Sequence, residues 1–274
     1  AEGNRKFAWE LYGKLSEKEG NLFFSPVSVS TALSMTAAGA SGDTLKEMLA
    51  TLRLPEGNET HASMGALLNH LAGGDRKKNG LEVSVANALW GQKGYSLKQD
   101  FLDSTRKNYG AGLNPVDFVG ATEEARKTIN AWVEKQTRDK IRDLLAPGVL
   151  NVNTRLVLTN AIYFKGDWAK PFKQSATRDR DFTPLDGKTV RVPTMHASAE
   201  FAFAQNEEVK LLDLPYRGDQ LSMTILLPVK KDGLPELEKR FTPENPAKWF
   251  EGLHSTRDLR FELPKFKVAS RFGL

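Results

Sequence analysis

The sequence predicts an α+β protein, on three observations. The first half carries several stretches with apolar residues at helical spacing. The second half carries segments that alternate with period two between turn residues. Between them, residues 154–165 (TRLVLTNAIYFK) are apolar almost throughout, as expected of a strand buried on both faces.

Taken in order, Phe7, Leu11 and Leu15 mark one face of a first helix that stops near Gly20. Ser25 then reads as a helix N-cap, with Pro26 at the first helical position, where a missing N–H costs nothing. Val29, Ala32, Leu33 and Thr36 recur at helical spacing, while Ser28, Ala37 and Ala38 add little bulk. Gly39 suits the left-handed position that closes a helix. Residues 41–44 cap a second helix over 45–52, and residues 61–71 form another. A polar, basic loop fills 73–80.

Residues 81–90 alternate, with Leu81, Val83, Val85 and Leu89 on one side and Glu82, Ser84 and Asn87 toward the other, as in a strand. A helix over 97–109 and a short extended piece over 115–118 follow. Thr122-Glu123-Glu124 opens a long amphipathic helix whose buried face is Ile129, Trp132 and Val133. Gly166-Asp167-Trp168 ends the apolar strand. Asp186-Gly187 is a hairpin turn between strands 181–184 and 189–193. Strands 209–215 and 221–228 join at residues 217–219, residues 234–240 and 243–253 are helical, and Leu259, Phe261 and Leu263 alternate as a last strand. No repeat, low-complexity tract or linker divides the chain.

Composition excludes several classes. The net charge of +5 comes from interspersed charges, an ordinary solvated surface and no nucleic-acid face. No apolar run approaches the roughly eighteen residues of a membrane span. The opening AEGNRKFAWE has no apolar region of a signal peptide. With no cysteine, a disulfide framework, thiol catalysis and thiolate metal sites are excluded. There is no G-x-S-x-G elbow, and His61, His70, His196 and His254 form no zinc-binding pair. Gly187-Lys188-Thr189 has the ending of a phosphate-binding loop, but Phe182 stands where its first glycine belongs, so it reads as a turn. No enzyme, cofactor or metal is expected. Asn58-Glu59-Thr60 is a glycosylation motif for a secreted eukaryotic chain.

The wording of particular segments is more specific. Residues 21–44, NLFFSPVSVSTALSMTAAGASGDT, resemble the helix B signature of the serpins. Ile129-Asn130-Ala131-Trp132-Val133-Glu134 with Lys140-Ile141 resembles serpin helix F, and residues 157–168 resemble the third strand of sheet A with its top, the breach. Leu214-Pro215-Tyr216-Arg217-Gly218 and Leu263-Pro264-Lys265-Phe266-Lys267 are further serpin phrases, in the family's order, so the resemblance extends over residues 7–274. It implies a single domain over 1–274, with a large mixed central sheet A, sheets B and C, and about eight helices.

Serpins inhibit serine proteases, and sometimes cysteine proteases, as suicide substrates. A reactive loop is cleaved and inserts as a new strand into the central sheet. By this resemblance Ser25, Ser28 and Asn160 match the shutter, a polar cluster beneath the point where the strands part. Trp168, Thr177 and Lys265 match the breach, where the loop enters, and Asn130 and Trp132 belong to the helix F gate. Plainer roles stand beside these: a helix cap for Ser25, core filling for Trp168, a surface lysine for Lys265. The alternative function is a non-inhibitory serpin acting as carrier, chaperone or storage protein. The expected partners are a target protease and a C-terminal serpin segment carrying hinge, reactive loop and last core strands. None of these follows Arg271-Phe272-Gly273-Leu274, so the reactive site is not in this sequence, and the 274 residues are expected not to fold alone as a stable monomer. The helix over 61–71 offers no Lys or Arg, so heparin control is not expected. An extracellular location is expected, with the cytoplasm as the alternative.

Overall fold

The computed structural model describes residues 2–57, 59–73, 80–184, 186–242 and 245–270. Asn58 of the glycosylation motif and residues 271–274 lie outside them. Eight α-helices and eight strands are present among the described residues: α1 (Glu2–Leu15), α2 (Pro26–Ala37), α3 (Gly42–Thr51), α4 (Glu59–Ala72), β1 (Leu81–Gln92), α5 (Gln99–Tyr109), β2 (Gly112–Val116), α6 (Thr122–Gln136), β3 (Leu156–Gly166), β4 (Arg178–Phe182), β5 (Val190–Gln205), β6 (Val209–Pro215), β7 (Ser222–Pro228), α7 (Leu234–Glu238), α8 (Asn245–Glu251) and β8 (His254–Pro264). They form two compact units. One comprises Ala1–Ala8, Ser25–Arg76 and Glu82–Lys165, the other Trp9–Phe24, Lys77–Leu81 and Gly166–Leu274.

In the first unit three strands lie in the order β2-β1-β3, with β1 and β2 parallel from Ala88↔Gly112 to Gln92↔Val116. The pleat of β1 sends successive side chains to opposite faces. Leu89 joins Met35, Met64, Leu68, Phe101 and Tyr109, contributed by α2, α4 and α5. Ala88 and Trp90 join Val116, Phe118, Ala125 and Ile129 beneath α6. Two apolar clusters therefore sandwich β1, and each fully buried Leu, Met or Phe in them contributes about 2 kcal/mol.

The expectation that residues 154–165 are buried on both faces holds only for the first half of β3. Leu156 and Leu158 pack against one cluster and Val157 against the other. Phe164 is 43% exposed and Lys165 is also exposed. The reason is position: β3 ends the strand order, so its far end is covered less than the central β1. The extended piece expected at 115–118 lies three residues earlier, as β2, because it pairs with β1.

Helix α2 begins as expected at Pro26, but its buried face is different. Ser30, Thr31, Ser34, Met35 and Ala37 are buried, whereas Thr36 is exposed. The hydroxyls bond locally or to neighbours: Ser30 Oγ donates to the Val27 carbonyl at 3.2 Å and accepts from Asn4 Nδ2 at 2.5 Å. Small side chains thus let the helix sit deep without unsatisfied polarity at most positions. Gly39 is not left-handed. A Cβ there would stand 3.2 Å from the Phe101 ring, so that ring would have to shift by a few tenths of an ångström to admit one. Helix α3 starts at Gly42, three residues before the expected position.

The second unit holds an antiparallel order β4-β5-β6-β7, with β8 on β5. The turns expected at Asp186-Gly187 and at residues 217–219 are present, with left-handed backbone at Gly187, Gly218 and Asp219. Strand β5, expected to stop at Pro193, runs on to Gln205. It pairs with β4 at its start, β6 at its end and β8 along most of its length, with an irregularity between Ala199 and Phe201. The sheets expected as B and C are therefore continuous through one strand. A core of Ala204, Val209, Leu211, Leu237 and Trp249 lies under its β6 side.

Candidate functional site: the polar seam and the aromatic top

Ser25 caps α2: its backbone is extended and its Oγ accepts the Ser28 N–H at 3.2 Å. That bond satisfies one of the donors a helix start leaves open. Ser25 and Ser28 are both half-buried in the first turn. Asn160, on β3, bonds elsewhere. Its Nδ2 donates to Asn87 Oδ1 at 2.6 Å, and Asn87 Nδ2 donates to the Tyr109 carbonyl at 2.8 Å. Among the described residues no hydrogen bond joins Ser25 or Ser28 to Asn160. The seam between β1 and β3 is instead an amide pair anchored to the last residue of α5. Asn160 Oδ1 is buried without a partner. An acceptor left so costs about 1–3 kcal/mol unless another group reaches it.

Sequence reasoning missed Asn87 as a functional candidate, although its place on the polar side of the β1 alternation was legible. It also missed Tyr109. The phenol stands 2.6 Å from His61 Nδ1 and is almost wholly buried. Burial pushes the Tyr109 phenol up and the His61 imidazole down from their ordinary ranges. Nearby, Trp90 Nε1 donates to Thr159 Oγ1 at 3.0 Å in the interior.

Asn130 and Trp132 lie on α6 and face different neighbours. Asn130 is 4% exposed, and it grips one residue twice. Its Nδ2 donates to the Leu145 carbonyl at 3.0 Å, and its Oδ1 accepts the Leu145 N–H at 2.9 Å. Arg126 Nη1 donates to the same carbonyl at 2.7 Å. Trp132 meets Trp90 edge to face, ring centroids 5.8 Å apart at 81°. Helix α6 is thereby fixed both to β1 and to the segment that follows it.

In the second unit, Trp168 stacks on Tyr216 with centroids 4.6 Å apart at 11°, and meets Phe172 edge to face at 6.1 Å. Backbone bonds frame the stack: Ala169 N–H to the Pro215 carbonyl at 2.9 Å and Arg217 N–H to the Asp167 carbonyl at 2.7 Å. Gly166 is required here, since a Cβ would stand 2.6 Å from the Tyr216 ring. Thr177 follows a 3₁₀ turn over Gln174–Ala176 and is half-buried. Lys265 has an exposed side chain, and its N–H donates to the Pro193 carbonyl at 2.9 Å. Among the described residues no group of His, Asp and Glu is arranged to hold a metal ion, and no helix is long and apolar enough to cross a membrane.

Comparisons with known proteins agree in kind. The family model described as Serpin (serine protease inhibitor) matches residues 2–274. Human Serpin B3 is 36% identical over 292 aligned positions, covering 100% of this chain and 75% of that protein. The leukocyte elastase inhibitor of Xenopus tropicalis is 39% identical, covering 98% and 72%. Among solved structures, emu ovalbumin superposes with a TM-score of 0.91 at 29% identity, covering 97% of this chain and 73% of that one.

Proposed function

Because the chain belongs to the serpin family, we propose that it is a serine-protease inhibitor working as a suicide substrate. The observation that carries this is the match over residues 2–274 together with relatives named as leukocyte elastase inhibitors at 38–41% identity. The reactive loop would come from a C-terminal segment outside these residues, and cysteine proteases remain within the proposed target range.

Physical features support the proposal. Inserting a strand beside β3 would pair its row of backbone N–H and C=O groups and cover Phe164. The unpaired Asn160 Oδ1 would gain a donor from a strand laid there. Ser25, Ser28 and Asn160 would act as the shutter, where short polar groups exchange hydrogen bonds between two packings. Trp168, Thr177 and Lys265 would mark the entry point, and Asn130 and Trp132 would hold the helix that must yield. The expectation of secretion is not carried forward. The relatives do not support it, and cytoplasmic residence is compatible with them.

The test is a denaturing gel of the full-length protein mixed with trypsin-, chymotrypsin- and elastase-like proteases. An adduct at the summed mass, stable to boiling in detergent, is expected. Cleavage without an adduct for every protease would overturn the inhibitory proposal in favour of the non-inhibitory one.

A further inference from the structure

Strand β4 ends the sheet of the second unit, and among the described residues it has a strand on one side only. All five of its residues are exposed. Their order, Arg178-Asp179-Arg180-Asp181-Phe182, sorts charge by face, because successive side chains of a strand point to opposite sides. Directly opposed residues share a face, so the pairing with β5 fixes the two sides. Arg178, Arg180 and Phe182 lie with Thr194, Val192 and Val190 on one face. Asp179 and Asp181 lie with Pro193 and Arg191 on the other. On the arginine face Phe182 and Val190 stand side by side, 46% and 45% exposed.

We propose that the open edge of β4 is a docking site for an extended segment of a partner protein, added as an antiparallel strand, with acidic residues opposite Arg180 and Arg178 and an apolar one opposite Phe182. Strand addition supplies backbone hydrogen bonds, and alternate side chains supply the selection. Here the selection differs between the faces: acidic groups suit the arginine face and basic groups the aspartate face. Read from N to C, the fitting pattern is apolar, basic, acidic, basic, acidic. Both arginines are open to it. Arg178 Nη1 donates to the backbone carbonyls of Ser175 and Thr177, and Arg180 Nε stands 3.5 Å from Glu262 in an exposed pair of little strength.

Charge on an edge strand also guards it against pairing with copies of itself. An antiparallel pair of β4 strands, related by a two-fold axis normal to the sheet, keeps each face on its own side. Every register then sets Arg against Arg and Asp against Asp, which is destabilising. A second copy is therefore a poor occupant. The same sorting by face that rejects the copy is complementary to a segment of alternating charge.

The experiment titrates the full-length protein into two labelled peptides of one composition, TFKEKET and TFKKEET, and follows fluorescence anisotropy and amide exchange in β4. The alternating peptide sets both acids on the arginine face, whereas the block peptide sets an acid and a base on each face. The alternating peptide should bind about tenfold tighter and slow exchange within residues 178–182. Arg178→Ser with Arg180→Ser should abolish that preference, and Phe182→Ser should weaken both peptides alike. Equal affinity for the two peptides would overturn the proposal, as would binding that leaves β4 exchange unchanged. Binding of neither peptide would also overturn it, and would leave the charges as protection of the edge alone. Protease inhibition is read separately on the gel and does not enter these outcomes.

Discussion

The indole of Trp168 lies flat on the phenol of Tyr216, 4.6 Å between centroids and 11° from parallel. Two residues from distant parts of the chain meet because Gly166 leaves room and because Arg217 N–H reaches the Asp167 carbonyl. Stacks of this kind contribute about 1 kcal/mol beyond burial. Trp168→Phe should therefore cost about 1 kcal/mol and Trp168→Ala about 2 kcal/mol or more, because both rings are only half-buried. Urea unfolding gives the cost, and loss of the near-ultraviolet circular dichroism band reports the stack. If Trp168→Ala unfolds at the wild-type midpoint, the ring contributes nothing to the native state.

Asn130 holds Leu145 by both halves of one amide. Asn130→Ala leaves the part-buried Leu145 N–H without its partner, while its carbonyl keeps Arg126. The expected loss is about 2 kcal/mol, with faster amide exchange at Leu145 itself. Asn130→Asp should be worse, since it loses the donor and places a carboxylate beside a carbonyl. Equal exchange at Leu145 in Asn130→Ala and the wild type would remove the clamp from the account.

Most of this architecture was legible in the sequence, for identifiable reasons. The caps at Ser25 and Pro26, the turns at Gly187 and Gly218, and the Ile129/Val133 face of α6 are local signals, and each appears where it was expected. The failures are cases where tertiary contact decides. The buried face of α2 is its hydroxyl-rich one, which no hydrophobic pattern marks. Pro193 reads as a strand end, yet β5 continues through it, because its carbonyl serves Lys265 and the missing N–H falls on a tolerated pair. The seam itself was half visible. Asn160 stood out within an apolar run, but its partner Asn87 looked like any solvent-facing polar residue of an alternating strand, and Tyr109 like the end of a helix.

Asp139 occupies a left-handed backbone position, with φ of 59°, directly after Arg138 at 50°. A residue with a Cβ pays roughly 1 kcal/mol for that conformation, less for Asp than for most. The Asp139 N–H donates to the Glu134 carbonyl at 2.9 Å, which closes α6 and holds the conformation. Asp139→Gly keeps that bond and relieves the strain. It should raise stability by about 0.5–1 kcal/mol, and Asp139→Val should lower it by more. The melting temperatures of the two variants should lie on opposite sides of the wild type, and two variants on the same side would sink the strain argument.

Asn87 and Asn160 share one hydrogen bond but differ in what else they hold. Asn87→Ala removes the bond to the Tyr109 carbonyl as well, and strands two groups: that carbonyl and the Asn160 amide. Asn160→Ala removes the shared bond and also deletes the buried oxygen that had no partner, so part of its cost is returned. The expected order is therefore Asn87→Ala at about 2–3 kcal/mol and Asn160→Ala at about 1 kcal/mol. The double variant should lie closer to Asn87→Ala alone than to the sum, since the second change relieves a group the first had stranded. A double-mutant cycle in urea measures the coupling. Strict additivity would mean that the 2.6 Å contact carries no energy of its own and that β1 and β3 are held at this point by their backbones alone.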